Sequence, residues 1–213
     1  MSLDVLIVNI NLDPHTTEGC EEIEARLRIL RPALRCSILH WRDPSLRDDA
    51  EDAAGLLLGP NENPFPSYPE EFEALLGWIR GHQGPLLGIC GGHQVLALAH
   101  GAEIGPVHDV PPATSTYAGM PKVKGMTRAR RVAEDPLSRD LPENFEVSSS
   151  HVDEVKKLPS NFHLVIEGDR STYQMIALDG RPVWGVQFHP EHERSGYWGS
   201  QLLERWLEVV ENR

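Results

Sequence analysis

The chain has 213 residues and a formal net charge of −12, from 20 Lys and Arg against 32 Asp and Glu. That length suffices for a full core in one domain, and the acidic balance argues against a nucleic-acid partner, whose phosphates call for clustered Lys and Arg. No apolar run approaches the roughly 18 residues of a membrane helix and no signal-peptide core is present, so no membrane is expected; three cysteines, odd in number and without metal spacing, read as reduced thiols in a cytoplasm.

Along the chain, apolar runs at 3–10, 35–41, 54–59 and 86–89 lack polar alternation, which is the pattern of parallel strands covered on both faces. Between them Ile23, Leu27 and Leu30, then Phe72, Leu75, Leu76 and Ile79, recur at helical spacing. The alternation predicts an α/β fold: a doubly wound, mainly parallel sheet flanked by helices, with ligands collecting at the carboxyl ends of the strands. The basic stretch Lys122–Arg131 reads as a solvated strand edge or loop. From about 105 to 180 short β-type runs, such as 145–147, 163–166 and 173–176, suggest a small antiparallel excursion. A last amphipathic helix carries Trp198, Leu202, Leu203, Trp206 and Val210 on one face. With no repeat and no linker, residues 1–213 read as a single domain.

The most specific local signal lies at 85–99. An apolar strand-like run leads into Gly88-Ile89-Cys90-Gly91-Gly92, and an apolar helix-like run follows. This is the pattern of a nucleophile elbow with sulfur in place of the serine oxygen: glycines two before and two after the nucleophile leave room for backbone at a strained turn. With Gly at 18 of 213 positions, chance supplies both flanks for about 2% over three cysteines, so the strand–turn–helix setting makes Cys90 the candidate nucleophile. It would sit at a helix N-terminus, where unpaired backbone N–H groups favour an anion.

A thiol nucleophile needs a base from elsewhere in the chain. The strand-like run 181–188 ends in His189-Pro190-Glu191. Pro190 disfavours helix at His189 and holds the imidazole on an extended exit from the sheet, and Glu191 is within chain reach of the same ring, where a carboxylate would orient the base. The run His189-Pro190-Glu191-His192-Glu193 also invites a metal, but Pro190 is incompatible with the helical i, i+4 spacing of a zinc helix and the nucleophile reading already uses His189 and Glu191. No metal and no cofactor are therefore expected.

Three blocks together resemble the class I (triad) glutamine amidotransferases: Gly-Ile-Cys-x-Gly-x-Gln at 88–94, Ser-His-x-Asp at 150–153 and Gln-Phe-His-Pro-Glu at 187–191. Asp135-Pro136-Leu137, Leu141-Pro142, Phe145, Val155 and Leu158-Pro159 make the likeness closest to the GMP-synthase-type amidotransferase domain. The resemblance implies a flavodoxin-like fold and hydrolysis of the side-chain amide of glutamine through a Cys90 γ-glutamyl thioester, with His189 as base and acid and Glu191 as its partner. It implies an oxyanion hole from the amides of Gly59 and Gly91, and substrate contacts from Gln94 and the backbone around Ser150 and His151. Two departures stand out. Leu58-Gly59-Pro60-Asn61 replaces the usual Gly-Gly-Pro-Gly, and Asn11-Leu12-Asp13-Pro14 replaces the Asp-Asn-Gly-Gly-Gln that opens true GMP synthases, which argues against the GMP synthase subunit itself. No ATP-binding motif and no P-loop is present, so ammonia would pass to a separate synthetase subunit. Two alternatives stay open: a γ-glutamyl hydrolase or peptidase acting on another amide, and a catalytically silent regulatory or binding subunit.

Overall fold

The structure is a computed structural model that describes residues 3–212; residues 1, 2 and 213, which the single-domain expectation includes, lie outside the described residues. Four parallel strands come first: β1 (Asp4–Asn9), β2 (Arg35–His40), β3 (Gly55–Leu58) and β4 (Leu86–Ile89). Each falls inside one of the apolar runs. Between them run α1 (Glu18–Leu30), α2 (Leu46–Asp52) and α3 (Phe72–Gly81), and α4 (Gly91–Ala99) follows β4. In α1, acidic Glu18 and Glu21 in the first turn and Arg28 in the last complement the helix dipole, while Cys20, Ile23 and Leu27 are buried.

The middle of the chain forms β5 (Glu103–Pro106), β6 (Val123–Arg131), β7 (Asn144–His151), β8 (Asp153–Lys157), β9 (Phe162–Gly168) and β10 (Met175–Leu178), before β11 (Val183–Val186) and α5 (Gly196–Glu211). The main sheet has the order β2-β1-β3-β4-β11-β10-β9-β6-β7, and β5 pairs with β8 in a separate two-stranded ribbon. The α/β class is as expected, but the antiparallel part is larger than a small excursion. From β2 to β11 neighbours run parallel, and from β11 to β7 every pairing is antiparallel and belongs to the same sheet.

This continuity corrects the reading of the basic stretch. β6 is not an edge but lies between β9 and β7. Its burial alternates, with Val123, Thr127 and Ala129 inward and Lys124, Arg128 and Arg130 outward, so the charge is the solvated face of an internal strand.

Helices cover both faces, as a doubly wound sheet requires. On one face Ile23 and Leu27 of α1 pack with Leu202, Leu203, Trp206 and Val210 of α5. On the other, Leu46, Phe72, Leu75, Ile79, Val95 and Leu96 from α2, α3 and α4 form a second core. Trp206 is fully buried, and burial of a side chain of this kind typically contributes about 1.5–3 kcal/mol.

Candidate active site

Parallel pairing brings three strand ends together. Leu58 of β3 lies opposite Gly88 of β4, and Ile89 of β4 lies opposite Val186 of β11. The residues that follow, Gly59, Cys90 and Gln187-Phe188-His189, therefore leave the sheet at one edge, at the carboxyl ends of adjacent strands.

Cys90 has φ +52° and ψ −103° and is the only non-glycine residue with positive φ among the described residues. Such a conformation costs on the order of 1–3 kcal/mol and persists only where the surroundings enforce it. Here they do: Cys90 N–H donates to Val186 O at 2.8 Å, and Cys90 O accepts from Gln94 N at 3.2 Å as α4 begins. The flanking glycines follow from the same tight turn, since a Cβ on Gly88 would run into the Gly92 carbonyl and one on Gly92 into the Leu58 carbonyl.

His189 and Glu191 form a buried pair, with His189 Nδ1 2.7 Å from Glu191 Oε1 and side chains 7% and 0% exposed. The backbone of His189 is tied to β7 through N–H donation to Ser148 O at 2.9 Å. His189 Nε2 is left without a hydrogen-bond partner, and Cys90 lies near enough to act on the ring electrostatically. Burial disfavours the charged ring, but Glu191 and then Cys90 outweigh it and raise the His189 pKa well above the ordinary imidazole value. Cys90 Sγ itself lies 3.9 Å from Ser150 O and 3.8 Å from Gln187 Nε2. Ligand atoms of His189, Glu191 and His192 lie within 4.8 Å of one another, a spacing that a metal could use, but the His189–Glu191 hydrogen bond already occupies two of the three.

A cavity of about 250 Å³ opens beside Cys90, lined among others by Gln94, Tyr117, Lys122, His151 and Asp153. Gln94 is buried, with Nε2 donating to Asp153 O at 2.6 Å and to Gln187 Oε1 at 3.0 Å. His151 Nδ1 is 3.0 Å from Asp153 O, and burial lowers its pKa to about 4, so the ring is neutral at ordinary pH. Sequence reasoning placed Ser150 and His151 here but did not single out Asp153 or Tyr117. Tyr117 Oη donates to Asp153 Oδ2 at 2.6 Å, while Asp153 Oδ1 is buried with no partner. The one sequence signal for Asp153 is its place in the Ser-His-x-Asp block; Tyr117 stands in a segment without a motif.

The expected oxyanion pair needs a correction. Gly91 opens α4, so its N–H has no intrahelical acceptor, but the Gly59 N–H donates to Val8 O at 3.0 Å and continues the sheet pairing. Gly59 therefore offers no donor to Cys90 in this conformation. Asn61 takes the place beside Gly91: its backbone N and side chain occupy the space next to the Gly91 Cα, and it lines the cavity with Cys90. The departure at 11–14 is built into the same corner, because Asn11 Oδ1 accepts from Glu62 N at 2.9 Å and Tyr68 Oη donates to Ile10 O at 2.7 Å. The first loop thus buttresses the loop after β3.

Comparison with known proteins agrees with this geometry. Residues 21–209 match the family model of glutamine amidotransferase class-I. The glutamine-hydrolyzing subunit of the GMP synthase of Methanocaldococcus jannaschii is 34% identical over 125 residues, 59% of this chain and 60% of the relative, so the matched region spans less than two thirds of that protein. The corresponding GMP synthase subunit of Methanothermobacter thermautotrophicus is 33% identical over 162 residues, 75% of this chain and 76% of the relative. Among solved structures, a Thermoplasma acidophilum protein provisionally described as a subunit of GMP synthase has a TM-score of 0.79 at 23% identity, covering 100% of this chain and 96% of that one. A glutamine amidotransferase of Thermotoga maritima has a TM-score of 0.63 at 20% identity, covering 100% and 84%. These two show likeness of fold. A family match running from α1 to α5 over a complete elbow establishes that the chain belongs to the class-I glutamine amidotransferase family.

Proposed function

We propose that the chain is the glutamine-hydrolysing unit of a two-part amidotransferase, with Cys90 as nucleophile, His189 as base and acid, and Glu191 as the group that orients His189. The observation that carries this reading is the buried His189–Glu191 pair, whose second ring nitrogen has no partner, beside a cysteine held in a strained turn. Cys90 Sγ attacks the side-chain carbon of glutamine. His189 delivers a proton to the departing ammonia, and then takes one from the water that releases glutamate.

The cavity supports a small α-amino acid. Its volume of about 250 Å³ lies below the roughly 300–1,000 Å³ of drug-sized pockets, which favours free glutamine over a bulkier γ-glutamyl amide. The unpartnered Asp153 Oδ1 suits the α-ammonium group, and Lys122 suits the α-carboxylate. Gln94, fixed by its donated hydrogen bonds, shapes the floor, and Ser150 and His151 form the wall.

The continuous sheet supports a single domain over 1–213. Relatives named as glutamine-hydrolyzing GMP synthase subunits support transfer of ammonia to a separate synthetase subunit. Three unpaired cysteines support a reducing, cytoplasmic setting; among the described residues no helix is long and apolar enough to cross a membrane. The net charge of −12 disfavours nucleic acid as a partner.

The test is glutamate release from glutamine and from a panel of γ-glutamyl amides. Because the Gly59 N–H is held by Val8, turnover of glutamine alone should be well below the typical enzyme rate of about 10 s⁻¹, and should rise when the synthetase partner is added. Fast hydrolysis in isolation, or preference for a larger amide, would favour a self-sufficient hydrolase. No turnover under either condition would favour the silent subunit.

A further inference from the structure

The His189 ring has one hydrogen bond, from Nδ1 to Glu191, and none at Nε2. One bond fixes a distance but leaves the ring free to tilt about it, so another contact must hold Nε2 toward Cys90. A neighbouring ring supplies that contact. The His192 imidazole lies parallel to His189, with centroids 4.3 Å apart and planes 5° from each other.

His192 is itself held at both nitrogens. Nδ1 is 3.1 Å from Ser148 Oγ, and Nε2 faces Glu22 Oε2 at 3.3 Å and Glu191 Oε1 at 3.8 Å. The segment beneath it is tied on three sides. Arg26 Nε donates to Glu191 O at 3.0 Å, Ser195 Oγ donates to His189 O at 2.6 Å, and the same hydroxyl accepts from Ser148 N at 3.1 Å. Its outer edge lines a second cavity, of about 480 Å³, with Glu22, Arg26, Lys124 and Arg194.

We propose that His192 is a positioning residue whose stacked ring holds the plane of His189 for proton exchange with Cys90. The inference rests on the amidohydrolase reading above. A neutral ring stacked on an imidazolium presents its π face to the cation and stabilises it, whereas two parallel cations would repel. The groups facing His192 are Glu22, Glu191 and His189; those facing His189 are Glu191, Cys90, His192 and His151. Burial, reinforced by the charge of His189, lowers the His192 pKa below the ordinary value, which keeps the stack in its mixed, attractive form.

The experiment compares His192→Gln, which keeps polar partners for Ser148 and Glu22 but has no ring, with His192→Phe, which keeps a ring but no hydrogen bonds. For each full-length variant, kcat and KM for glutamine are measured, together with the pH dependence of Cys90 alkylation by iodoacetamide, with the modified cysteine identified by mass. A stacking role predicts that His192→Gln loses about tenfold in kcat with KM within about twofold, and that its alkylation midpoint moves to higher pH. His192→Phe should stay within about threefold of the parent. A His192→Gln protein with parental kcat and alkylation profile overturns the proposal, as does a His192→Phe protein as impaired as His192→Gln. Thermal melts of both show whether each is folded, and the Phe–Gln contrast stands if one is destabilised. Alkylation of the parent that fails to select Cys90 over Cys20 and Cys36 would count against the amidohydrolase reading instead, so the two failures are distinguishable.

Discussion

The parallel and antiparallel halves of the sheet contribute differently to this site. The proposed chemistry sits at the ends of β4 and β11, parallel neighbours in register, and each group there is held by its own backbone: Cys90 by its positive φ, His189 by the proline that follows it. The pocket wall comes from the antiparallel half. Ser150 and His151 are placed by the pairing of β7 with β6, in which Lys124 lies opposite Ser150 and Val123 opposite His151, and Tyr117 comes from the connection between β5 and β6. Reactive groups thus depend on local backbone rules, and recognition depends on long-range pairing. Substitutions in the first region should abolish turnover, and those in the second should weaken binding.

The largest expected effect tests the first half of that contrast. Cys90→Ala should lower glutamine hydrolysis on the order of 10⁴-fold or more, since alanine offers no covalent step, while changing stability by about 1 kcal/mol or less in denaturant titrations. A glutamine-analogue diazoketone should label Cys90 alone. Burial pushes the Cys20 thiol up to about 12 and the Cys36 thiol up to about 11, which keeps both as unreactive thiols. Equal labelling of all three in the native protein would sink the nucleophile assignment.

The second half is tested at Asp153. Replacing its unpartnered carboxylate with an amide, Asp153→Asn, should raise KM about 10–150-fold, the equivalent of a charged hydrogen bond of about 1.5–3 kcal/mol, with a smaller change in kcat. If kcat falls and KM does not, the division of labour between the two halves is wrong.

Acid stability gives a smaller, graded test. Burial holds His151 down to about 4 and His93 down to about 3, both below the ordinary 6.5. The unfolded chain therefore takes up these protons first as pH falls. The stability attached to them is complete above about pH 6.5 and is lost on acidification toward pH 4, at up to about 2.7 kcal/mol per pH unit while both titrate in the unfolded chain. His189 has the opposite sign, because its pKa is raised: its contribution is complete below about pH 6.5 and is lost as pH rises through the folded value. Denaturant midpoints across pH should show the acid slope flattened in His151→Asn. The smallest effect belongs to the solvated face of β6. The Arg130–Glu167 pair at 2.6 Å is half exposed, so Arg130→Ala should cost under about 1 kcal/mol; a larger loss would mean that this face is not merely solvated.

Much of the first region was readable in one dimension. Gly88, Cys90 and Gly92 constrain one another within five residues, and Pro190 acts on its neighbour, so both ends of the proposed pair follow from local sterics. Strands β1 to β4 were readable for a related reason, because burial on both faces leaves an unbroken apolar run. The size of the antiparallel half was harder to read, since short alternating runs do not state their partners, and β6 looked like an edge because only pairing on both sides makes it internal. Tyr117 carried no signal at all. Its role comes from a 2.6 Å bond to Asp153, 36 residues away in sequence.

The sequence by itself determined the fold class, the strained cysteine and the histidine–glutamate pair, because each rests on rules that act over a few residues: periodicity, glycine at a crowded turn, proline after an extended exit. Only the tertiary structure decided which amides face Cys90, with Gly59 drawn into the sheet by Val8 and Asn61 set beside Gly91. It alone placed the His192 ring against His189 and left one oxygen of Asp153 unpartnered. Those outcomes turn on hydrogen-bond competition and packing between segments far apart in the chain, where a shift of one bond reassigns a donor and no local pattern records which partner wins.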